Sequence, residues 1–288
     1  MLGIEGCVSS HLATIIADES KVSPKYLLFY LSTIVAQDLV QDHAYPSLNL
    51  PTIAGIEVHL PPIEHQLRIN GLLDEAFEAL ATAKANAEQN LQNARALFES
   101  HLESVFGQPG DGWAEATLGE TCEMYQPKTI STKELVPDGP YPVFGANGII
   151  GRYNKFNHEE PQVLVTCKGA TCGSVNVSLP KSWITGNAMV IRPKDHALDL
   201  RFLEFVFRGG VDLSVAITGS AQPQITRTNL SPLLISFPVD IGEQIRLAET
   251  FQSLAAEIKH LTSIYERKLA ALEELKTSLL HQAFNGEL

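Results

Sequence analysis

Side chains with forked or cationic ends recur at four places between residues 109 and 240, in short segments rich in glycine, serine and threonine. Arg, Asn and Gln offer paired donors and acceptors, which is the chemistry that distinguishes base edges in a nucleic acid. Lys, hydroxyl groups and open backbone N–H groups suit phosphate oxygens. The segments therefore predict binding to a polar, anionic ligand. The candidate residues are Lys128, Lys133, Asn147, Arg152, Lys155, Lys168, Gly169, Thr171, Gln222, Gln224, Thr226 and Arg227.

Each of these four segments also has a simpler interpretation. Asn147-Gly148 is a strong hairpin-turn signal, and Lys168–Thr171 follows an apolar strand as an ordinary turn would. Gln222 and Gln224 are placed to cap the start of the helix that follows, an interpretation we weigh equally with base contact. For Lys128–Lys133 a solvated surface loop is the favoured interpretation. Residue types alone leave both alternatives open in every segment.

The net charge of −12 opposes a nucleic-acid partner, but its distribution weakens the objection. Residues 109–240 hold 11 Lys and Arg against 13 Asp and Glu, a net of −2. The remaining residues hold 10 against 20, a net of −10. The acidity therefore belongs mostly to the flanking segments, and one face of the central segment is free to be basic.

The cysteines and histidines give no sign of a metal site or of a disulfide framework. Cys7, Cys122, Cys167 and Cys172 are few and scattered, and the last two are five residues apart rather than in a CxxC pair. We expect small buried thiols in a reducing cytosol and no bound metal. No basic segment follows Met1, and no run of 18 apolar residues occurs, so we expect a cytoplasmic protein that spans no membrane.

A long internal repeat organises the elements that position these residues. Tyr45–Ile69 resembles Gln222–Leu247, about 177 residues later. Each copy is followed by a helical run of about 42 residues with no internal proline, which ends on a phenylalanine followed closely by glycine. Because similar sequences fold into similar units, the repeat predicts two copies of a domain followed by a long helix.

The two helical runs carry apolar heptads. The second run has a bulky seam, and the first, shifted by 178 residues, has a lighter, alanine-rich seam. A long helix with one apolar stripe needs a partner, and alanine layers facing bulky layers allow close packing. We therefore expect the two helices to form a coiled coil. The long segment between them allows either direction, and the antiparallel arrangement is favoured. The predicted seam consists of Ile69, Leu73, Leu80, Leu97, Leu247, Phe251, Leu254, Ile258, Leu261, Leu272 and Leu275.

The segment between the helices predicts a globular α+β domain. Gly107–Gly112 is a cluster of helix breakers, and residues 113–240 alternate β-type runs with turns around one helical patch. His11–Leu31 aligns with Asn187–Phe207 at a shift of 176. The expected organisation is a remnant of a first domain at 1–44, a repeat region with its helix at 45–108, a complete domain at 109–240, and a second repeat region with its helix at 241–288.

Several stretches resemble the DNA-specificity subunit of type I restriction-modification systems. Tyr141–Phe156, Val163–Val177 and Trp183–Pro193 are similar to the body of that family's target recognition domain. Leu60–Gln66 and Val239–Gln244 resemble the helix start that the family usually writes as PPLxEQ, with Val239-Asp240 replacing the common Pro-Pro. The resemblance covers essentially the whole chain.

The resemblance implies a non-catalytic protein that recognises double-stranded DNA. Two target recognition domains would each contact half of a split site, and the paired helices would fix the spacing and dock modification subunits. Those subunits would bind S-adenosylmethionine and methylate adenine N6, and a restriction subunit would be a further partner. The chain contains no dinucleotide-binding fingerprint, no Walker motif and no Asn-Pro-Pro-Tyr of a methyltransferase.

Two alternatives stay open at this point. One concerns the incomplete first domain, which fits either a half-type subunit that forms a homodimer or a shortened piece of a larger subunit. The other is a coiled-coil adaptor or decoy for the modification subunit that does not bind DNA, an interpretation that the overall acidity supports.

Overall fold

The computed structural model describes residues 13–40, 47–195, 197–219 and 221–287. It divides into two compact units, unit 1 (Met1–Asn93 with Leu261–Leu288) and unit 2 (Ala94–His260). The helices described are α1 (Pro24–Leu31), α2 (Leu50–Ala54), α3 (Ile63–Gly107), α4 (Leu118–Thr121), α5 (Leu200–Phe205), α6 (Arg227–Leu230) and α7 (Ile241–Phe284). The strands described are β1 (Trp113–Thr117), β2 (Cys122–Tyr125), β3 (Tyr141–Gly145), β4 (Gly148–Tyr153), β5 (Val163–Thr166), β6 (Val175–Val177), β7 (Trp183–Ile184), β8 (Ala188–Pro193) and β9 (Leu234–Pro238).

In unit 1 the long helices α3 and α7 pack antiparallel to each other. Leu73, near the start of α3, is buried with Leu280 near the end of α7, whereas farther along α3 the Nζ of Lys84 lies 2.6 Å from the Oε1 of Glu273. Positions therefore rise on one helix as they fall on the other, as expected for an antiparallel pair. An exposed ion pair of this kind contributes only about 0.2–1 kcal/mol. The apolar contacts therefore stabilise the helix pairing more than the ion pair does.

The short helix α1 packs on the long helices of unit 1 through aromatic rings. The ring of Tyr26, which is buried, meets the ring of Phe284 edge-on at 5.1 Å between centroids. Phe29 meets Phe77 of α3 in the same manner at 5.5 Å. The Tyr26 hydroxyl donates a hydrogen bond to the carbonyl of His59 at 2.9 Å. Ring packing and this bond fix α1 against the segment that precedes α3.

The described residues of unit 2 form three small sheets. The largest has the strand order β2-β8-β5-β6, and all its neighbours are antiparallel. A second sheet has the order β4-β3-β7, with β3 and β7 parallel, and β1 pairs antiparallel with β9 in the third. Every residue of β5 is buried, which explains its uninterrupted apolar sequence. These sheets confirm the expected α+β class.

The core of unit 2 joins the sheets to the end of α3 and the start of α7. Phe106 of α3 lies 5.7 Å from Phe202 of α5 and 5.9 Å from Phe251 of α7, between ring centroids. A π-helical turn, Val206–Gly210, then approaches α3 closely. A Cβ placed on Gly209 would lie only 2.7 Å from the Cβ of Leu102, so glycine is required for this approach.

The predicted heptad seam divides into three groups by burial. Leu73 and Phe251 are buried, while the half-buried members are Ile69, Leu80, Leu247, Leu254, Ile258 and Leu272. The exposed members are Leu97, Leu261 and Leu275. Leu97 is 59% exposed, and its neighbour Phe98 is the residue that packs against Phe205. An α-helix drifts about 20° per heptad relative to a strict seven-residue repeat, which moves the inward face from Leu97 to Phe98.

The aligned segment His11–Leu31 begins in the part of the chain outside the described residues, as does the first copy of the repeat at Tyr45. Three strands, β1, β2 and β7, lie outside the β-type runs of the sequence. Of these, β1 and β2 have polar residues among apolar ones. Their pairing with β9 and β8 determines their extended form, and tertiary context of this kind outweighs local propensity.

Candidate nucleic-acid interface

Two of the candidate loops are joined by backbone hydrogen bonds at the end of β5. The N–H of Gly169 donates to the carbonyl of Pro223 at 3.1 Å, and the N–H of Ile225 donates to the carbonyl of Cys167 at 2.9 Å. Lys168 and Gln224 form an antiparallel β-bridge between these bonds. The segments around Lys168 and Gln224 are 56 residues apart in sequence and lie side by side in the structure.

The hairpin tip between β3 and β4 meets the same end of β5. Ala146 and Asn147 form a two-residue loop, and Gly148 has a φ of +108°, which a residue with a side chain rarely adopts. The Thr166 hydroxyl, at the end of β5, donates a hydrogen bond to the carbonyl of Ala146. Asn147 therefore belongs to a hairpin turn and can still contact a ligand, because the tight turn exposes its side chain.

The loop after β2 completes this region. Gly186 lies so close to the loop that a Cβ on it would come within 2.6 Å of the carbonyl oxygen of Pro127. The next residue, Asn187, accepts a hydrogen bond from the N–H of Cys167 at 3.3 Å. We call this region the polar edge and define it by five exposed residues at the ends of β2 and β5, the hairpin tip and the segment before α6: Lys128, Asn147, Lys168, Gln222 and Gln224.

The segments that form the polar edge contain no acidic residue. Asp and Glu are absent from residues 124–133, 141–158, 161–194 and 213–239. The ion pairs described in unit 2 lie elsewhere, between Arg192 and Glu123, Arg208 and Glu204, and Arg201 and both Asp199 and Glu249. Lys128 and Lys168 make no ion pair within the described part of the chain. The polar edge is therefore positive although the chain as a whole is acidic.

Thr226 and Arg227 flank the polar edge at the start of α6. The Thr226 hydroxyl accepts a hydrogen bond from the N–H of Asn229 at 3.3 Å and caps α6. Thr226, and neither Gln222 nor Gln224, therefore caps the start of α6. Both glutamine side chains are exposed. Arg227 is exposed in the first turn.

Gly169 and Thr171 lie in the tight loop after Lys168. Gly169 has a φ of +89°, and a Cβ placed on it would meet no atom within 4 Å. The N–H of Cys172 donates back to the carbonyl of Gly169 at 3.0 Å, and Thr171 is exposed between them. Glycine here is required by the backbone conformation, and it leaves the main chain open to a ligand.

The remaining candidates, Lys133, Arg152 and Lys155, group around the far half of β4 and away from the hairpin tip. The N–H of Val136, three residues after Lys133, donates to the carbonyl of Arg152 at 2.9 Å. The Arg152 guanidinium donates to the carbonyls of Gly139 and Pro140, at 2.5 and 2.8 Å. Arg152 thereby uses two of its donors to hold the loop before β3. Lys133 and Lys155 are exposed.

Sequence reasoning missed two apolar side chains beside Asn147. Ile149 and Ile150 of β4 are both about half exposed, next to the hairpin tip. Two consecutive isoleucines at the tip of a two-stranded hairpin cannot both point inward, since neighbouring side chains of a strand face opposite sides. The two adjacent isoleucines within Gly148–Gly151 are the sequence feature from which an exposed apolar side chain could have been predicted. Apolar side chains at such a site can contact the methyl group of thymine.

Cys122 and Cys167 are buried, and Cys172 is half-buried. Burial raises the pKa of the Cys122 thiol to about 11, against an effect in the other direction from Thr121 and Lys194. Burial likewise raises the pKa of Cys167, which lies beneath the polar edge. Among the residues that the structure describes, no group of three or more His, Cys, Asp or Glu is arranged to hold a metal ion. None of the described helices combines enough length and hydropathy to cross a membrane. Cys7 lies outside the described residues.

A family model, the type I restriction modification DNA specificity domain, matches residues 110–267. This match spans more than half of the chain and includes the whole polar edge, so the chain belongs to the family of DNA-specificity subunits of type I restriction-modification systems. The specificity subunit is a non-catalytic component of type I complexes.

Individual relatives agree with this family. The specificity subunit of the EcoprrI type I restriction enzyme of Escherichia coli is 26% identical over 155 residues, which is 51% of this chain and 38% of that subunit. The matched segment therefore spans well under half of that relative.

Two solved structures share the fold. The first comes from a structure on the structural basis of complex assembly and conformational transition of the type I R-M system. It superposes on this chain with a TM-score of 0.78 at 20% identity. The alignment covers 95% of this chain and 74% of that one. The HsdS subunit of Thermoanaerobacter tengcongensis superposes with a TM-score of 0.56 at 21% identity, over 95% and 73% of the two chains.

Proposed function

We propose that this chain recognises a DNA sequence for a type I restriction-modification complex and that the polar edge is its DNA-contacting surface. The observation that carries the proposal is the convergence of four loops, distant in sequence, at one end of β5, in segments that contain no Asp or Glu. An acid-free surface with exposed amides and unpaired lysines matches the chemistry of a DNA duplex, which offers phosphates and hydrogen-bonding base edges.

The exposed side chains have distinct roles in this proposal. Asn147, Gln222 and Gln224 have amide groups that donate and accept at once, so they are assigned to base edges. Lys128 and Lys168 are assigned to phosphates, because a lysine ammonium is a point charge without directional selectivity. Arg227 and the open backbone at Gly169 extend the phosphate contacts. Lys133, Arg152 and Lys155 are assigned to a more distant, secondary contact with the backbone of the DNA.

We also propose that the long helices dock the modification subunit, which would supply S-adenosylmethionine. In unit 1 several large apolar side chains of α3 and α7 remain exposed after the helices have paired: Ile63, Leu67, Leu72, Leu261, Ile264 and Leu275. Exposed apolar groups concentrated on paired helices favour a protein partner. A restriction subunit would join through the same complex, and a second copy of this chain is an alternative partner.

DNA methylation provides the direct test of the function. Cells that carry this chain with its modification subunit should acquire N6-methyladenine within one sequence motif, detected by methylome sequencing. The variant Lys168→Gln should reduce methylation of that motif. Lys181→Gln is the matched control, because Lys181 is an exposed lysine at the opposite end of the same sheet, where its N–H donates to the carbonyl of Glu159 at 2.8 Å. Equal loss in both variants would contradict the assignment of the polar edge.

Salt dependence distinguishes this proposal from the adaptor that does not bind DNA. Specific binding of the complex to its motif should weaken steeply as salt rises, because each neutralised phosphate releases a counterion. Lys168→Gln should lower the slope of log Kobs against log salt by about 0.9, the expected value for one phosphate contact. The acidity of the chain favours the adaptor. The absence of sequence-dependent DNA binding at every salt concentration would support the adaptor.

A further inference from the structure

Two adjacent isoleucines project from the hairpin between β3 and β4. Ile149 is 56% exposed and Ile150 is 47% exposed. Their strand, β4, is the outer strand of the sheet β4-β3-β7, whereas residues 142–145 of the neighbouring β3 are buried. One exposed large apolar side chain is ordinary on a protein surface, but two in succession beside a turn form a small apolar surface. We call Ile149 and Ile150 the apolar tip.

A β-bulge produces this pair of exposed side chains. Val143 of β3 pairs with Gly151 of β4. The next pair along the hairpin is Phe144 with Ile149. Ile150 is therefore an extra residue without a partner on β3. A bulge changes the direction of a side chain from the one that strict alternation would give it, which explains why neither isoleucine is buried.

The apolar tip is held in place by the scaffold. Phe144, opposite Ile149, is buried in the core. A Cβ on Gly145 would lie only 2.7 Å from the Cγ2 of Ile150, so Ile150 packs across the hairpin on the bare backbone of this glycine. The Thr166 hydroxyl fixes the turn itself through its hydrogen bond to the carbonyl of Ala146. A surface that is already ordered binds a ligand at a lower entropic cost.

The fold covers the rest of β4 and leaves the apolar tip uncovered. A Cβ on Gly151 would come within 2.9 Å of the Cδ1 of Leu135, and the N–H of Val136 donates to the carbonyl of Arg152 at 2.9 Å. Among the described residues, no further strand pairs with the outer side of β4. Strand edges in proteins are commonly covered or carry charged side chains, and the apolar tip has neither protection.

The surroundings of the apolar tip favour DNA over a protein partner. Asn147 of the polar edge lies two residues before Ile149, and residues 141–158 contain no Asp or Glu. A two-stranded β-ribbon fits the major groove of a DNA duplex, where asparagine binds adenine through N6 and N7. A stable protein interface buries about 800 Å² on each partner, far more than two isoleucines offer.

Thymine is the base that an apolar side chain can distinguish in the major groove. Its C5 methyl group lies at the edge of the base, and none of the other three standard bases carries one. We propose that the apolar tip enters the major groove and contacts the C5 methyl group of a thymine next to the base that Asn147 contacts. Ile149 and Ile150 thereby determine specificity for one A·T pair. This proposal rests on the function proposed above.

The test uses the full chain in complex with its modification subunit, and a duplex that carries the methylated motif. Each thymine of the motif is replaced in turn by deoxyuridine, which lacks the C5 methyl group and keeps the same base pairing. At one thymine the Kd should rise about fourfold, the value expected for one buried methyl group. The double variant Ile149→Ser with Ile150→Ser should bind the thymine duplex and this deoxyuridine duplex equally.

Two further variants serve as controls. Ile149→Val with Ile150→Val keeps the apolar tip apolar and should keep the fourfold difference. Leu179→Ser is the matched control, because Leu179 is 51% exposed and follows the pair Val163–Val177 at the opposite end of β5. This variant should also discriminate between the two duplexes as the original chain does. Identical thermal unfolding curves would show that all the variants fold.

The possible failures of this proposal and of the proposed function are distinguishable. A methylated motif at which the original chain binds every deoxyuridine duplex as tightly as the thymine duplex would overturn the proposal and leave the function intact. Discrimination that persists in the double serine variant, or that is lost equally in Leu179→Ser, would also overturn it. The absence of any methylated motif would contradict the function and this proposal together. A chain dimer in light scattering that the double serine variant dissociates would assign the apolar tip to a second copy instead.

Discussion

Gln66 and Gln244 make the same three backbone hydrogen bonds, each within its own unit. The side-chain NH2 of Gln66 donates to the carbonyls of Lys21 and Pro61 at 2.9 and 2.8 Å, and its Oε1 accepts from the N–H of Ser23 at 2.9 Å. Gln244 does the same with Ala197, Pro238 and Asp199, at 3.2, 2.7 and 2.7 Å. Both side chains are fully buried. One residue thus ties each domain segment to the start of the long helix that follows it.

Replacing either glutamine should be costly. Gln66→Ala and Gln244→Ala each leave three buried backbone groups without a partner, so each should lower the free energy of unfolding by about 2–4 kcal/mol. Urea denaturation of the full chain measures the change. Gln89→Ala is the control, since Gln89 is exposed on α3, and its effect should stay within about 0.5 kcal/mol. Equal effects at Gln89 and Gln244 would contradict the anchoring role.

Two glycines should respond to alanine in opposite directions. A Cβ at Gly209 would lie 2.7 Å from the Cβ of Leu102, and this contact cannot relax by a side-chain rotation. Gly209→Ala should therefore destabilise the chain by about 1–3 kcal/mol. At Gly71, inside α3, a Cβ would meet nothing within 4 Å, so Gly71→Ala should stabilise by about 0.5–1 kcal/mol. Chemical denaturation of the two variants in parallel checks both signs.

The buried thiol of Cys122 predicts a loss of stability in alkali. Burial raises its pKa from the ordinary 9.0 to about 11. Between these values the unfolded chain releases the thiol proton and the folded chain keeps it, so the stability falls as the pH rises through 9 and the loss is complete near 11. The loss attributable to this group is about 3 kcal/mol. Cys122→Ala should show a smaller decrease than the original chain between pH 8 and pH 10.5 in urea titrations.

Thiol crosslinking can test the antiparallel helix pairing. The Nζ of Lys84 lies 2.6 Å from the Oε1 of Glu273, so in the double variant Lys84→Cys with Glu273→Cys a short bis-maleimide should join the two thiols, seen as a shifted band on a denaturing gel. In a parallel pair, Lys84 would face its repeat counterpart Thr262 instead. In the antiparallel pair, Thr262 lies about 16 Å along the helix from Glu273. Crosslinking of Lys84→Cys with Thr262→Cys and not with Glu273→Cys would contradict the observed arrangement.

The architecture was largely predictable from two patterns in the sequence, the heptads and the internal repeat. Proline-free heptads of more than 40 residues leave little alternative to paired helices, and the repeat alignment predicts equivalent roles for Tyr26 and Phe202, both of which are buried. The drift of the inward face from Leu97 to Phe98 was not predictable from a strict heptad, because it arises from the 3.6-residue period of a nearly straight helix.

The candidate site was less predictable than the helices. The residue types of Lys168 and Gln224 indicated binding, but the β-bridge that brings them together depends on pairing across 56 residues of sequence. Arg152 has a side chain suited to contact with a base, yet its guanidinium donates to the carbonyls of Gly139 and Pro140. Only the folded chain distinguishes a cation that faces solvent from one that holds a neighbouring loop.

The placement of the polar edge bears on how this protein can evolve. Its side chains project from turn tips beyond Thr166, while β5 beneath them is buried along its whole length. Substitutions at exposed tips usually change stability by no more than about 0.5 kcal/mol. The tips can therefore accumulate changes with little effect on the stability of the fold. In the function proposed above, such changes would alter the DNA sequence that is recognised and leave the long helices unchanged.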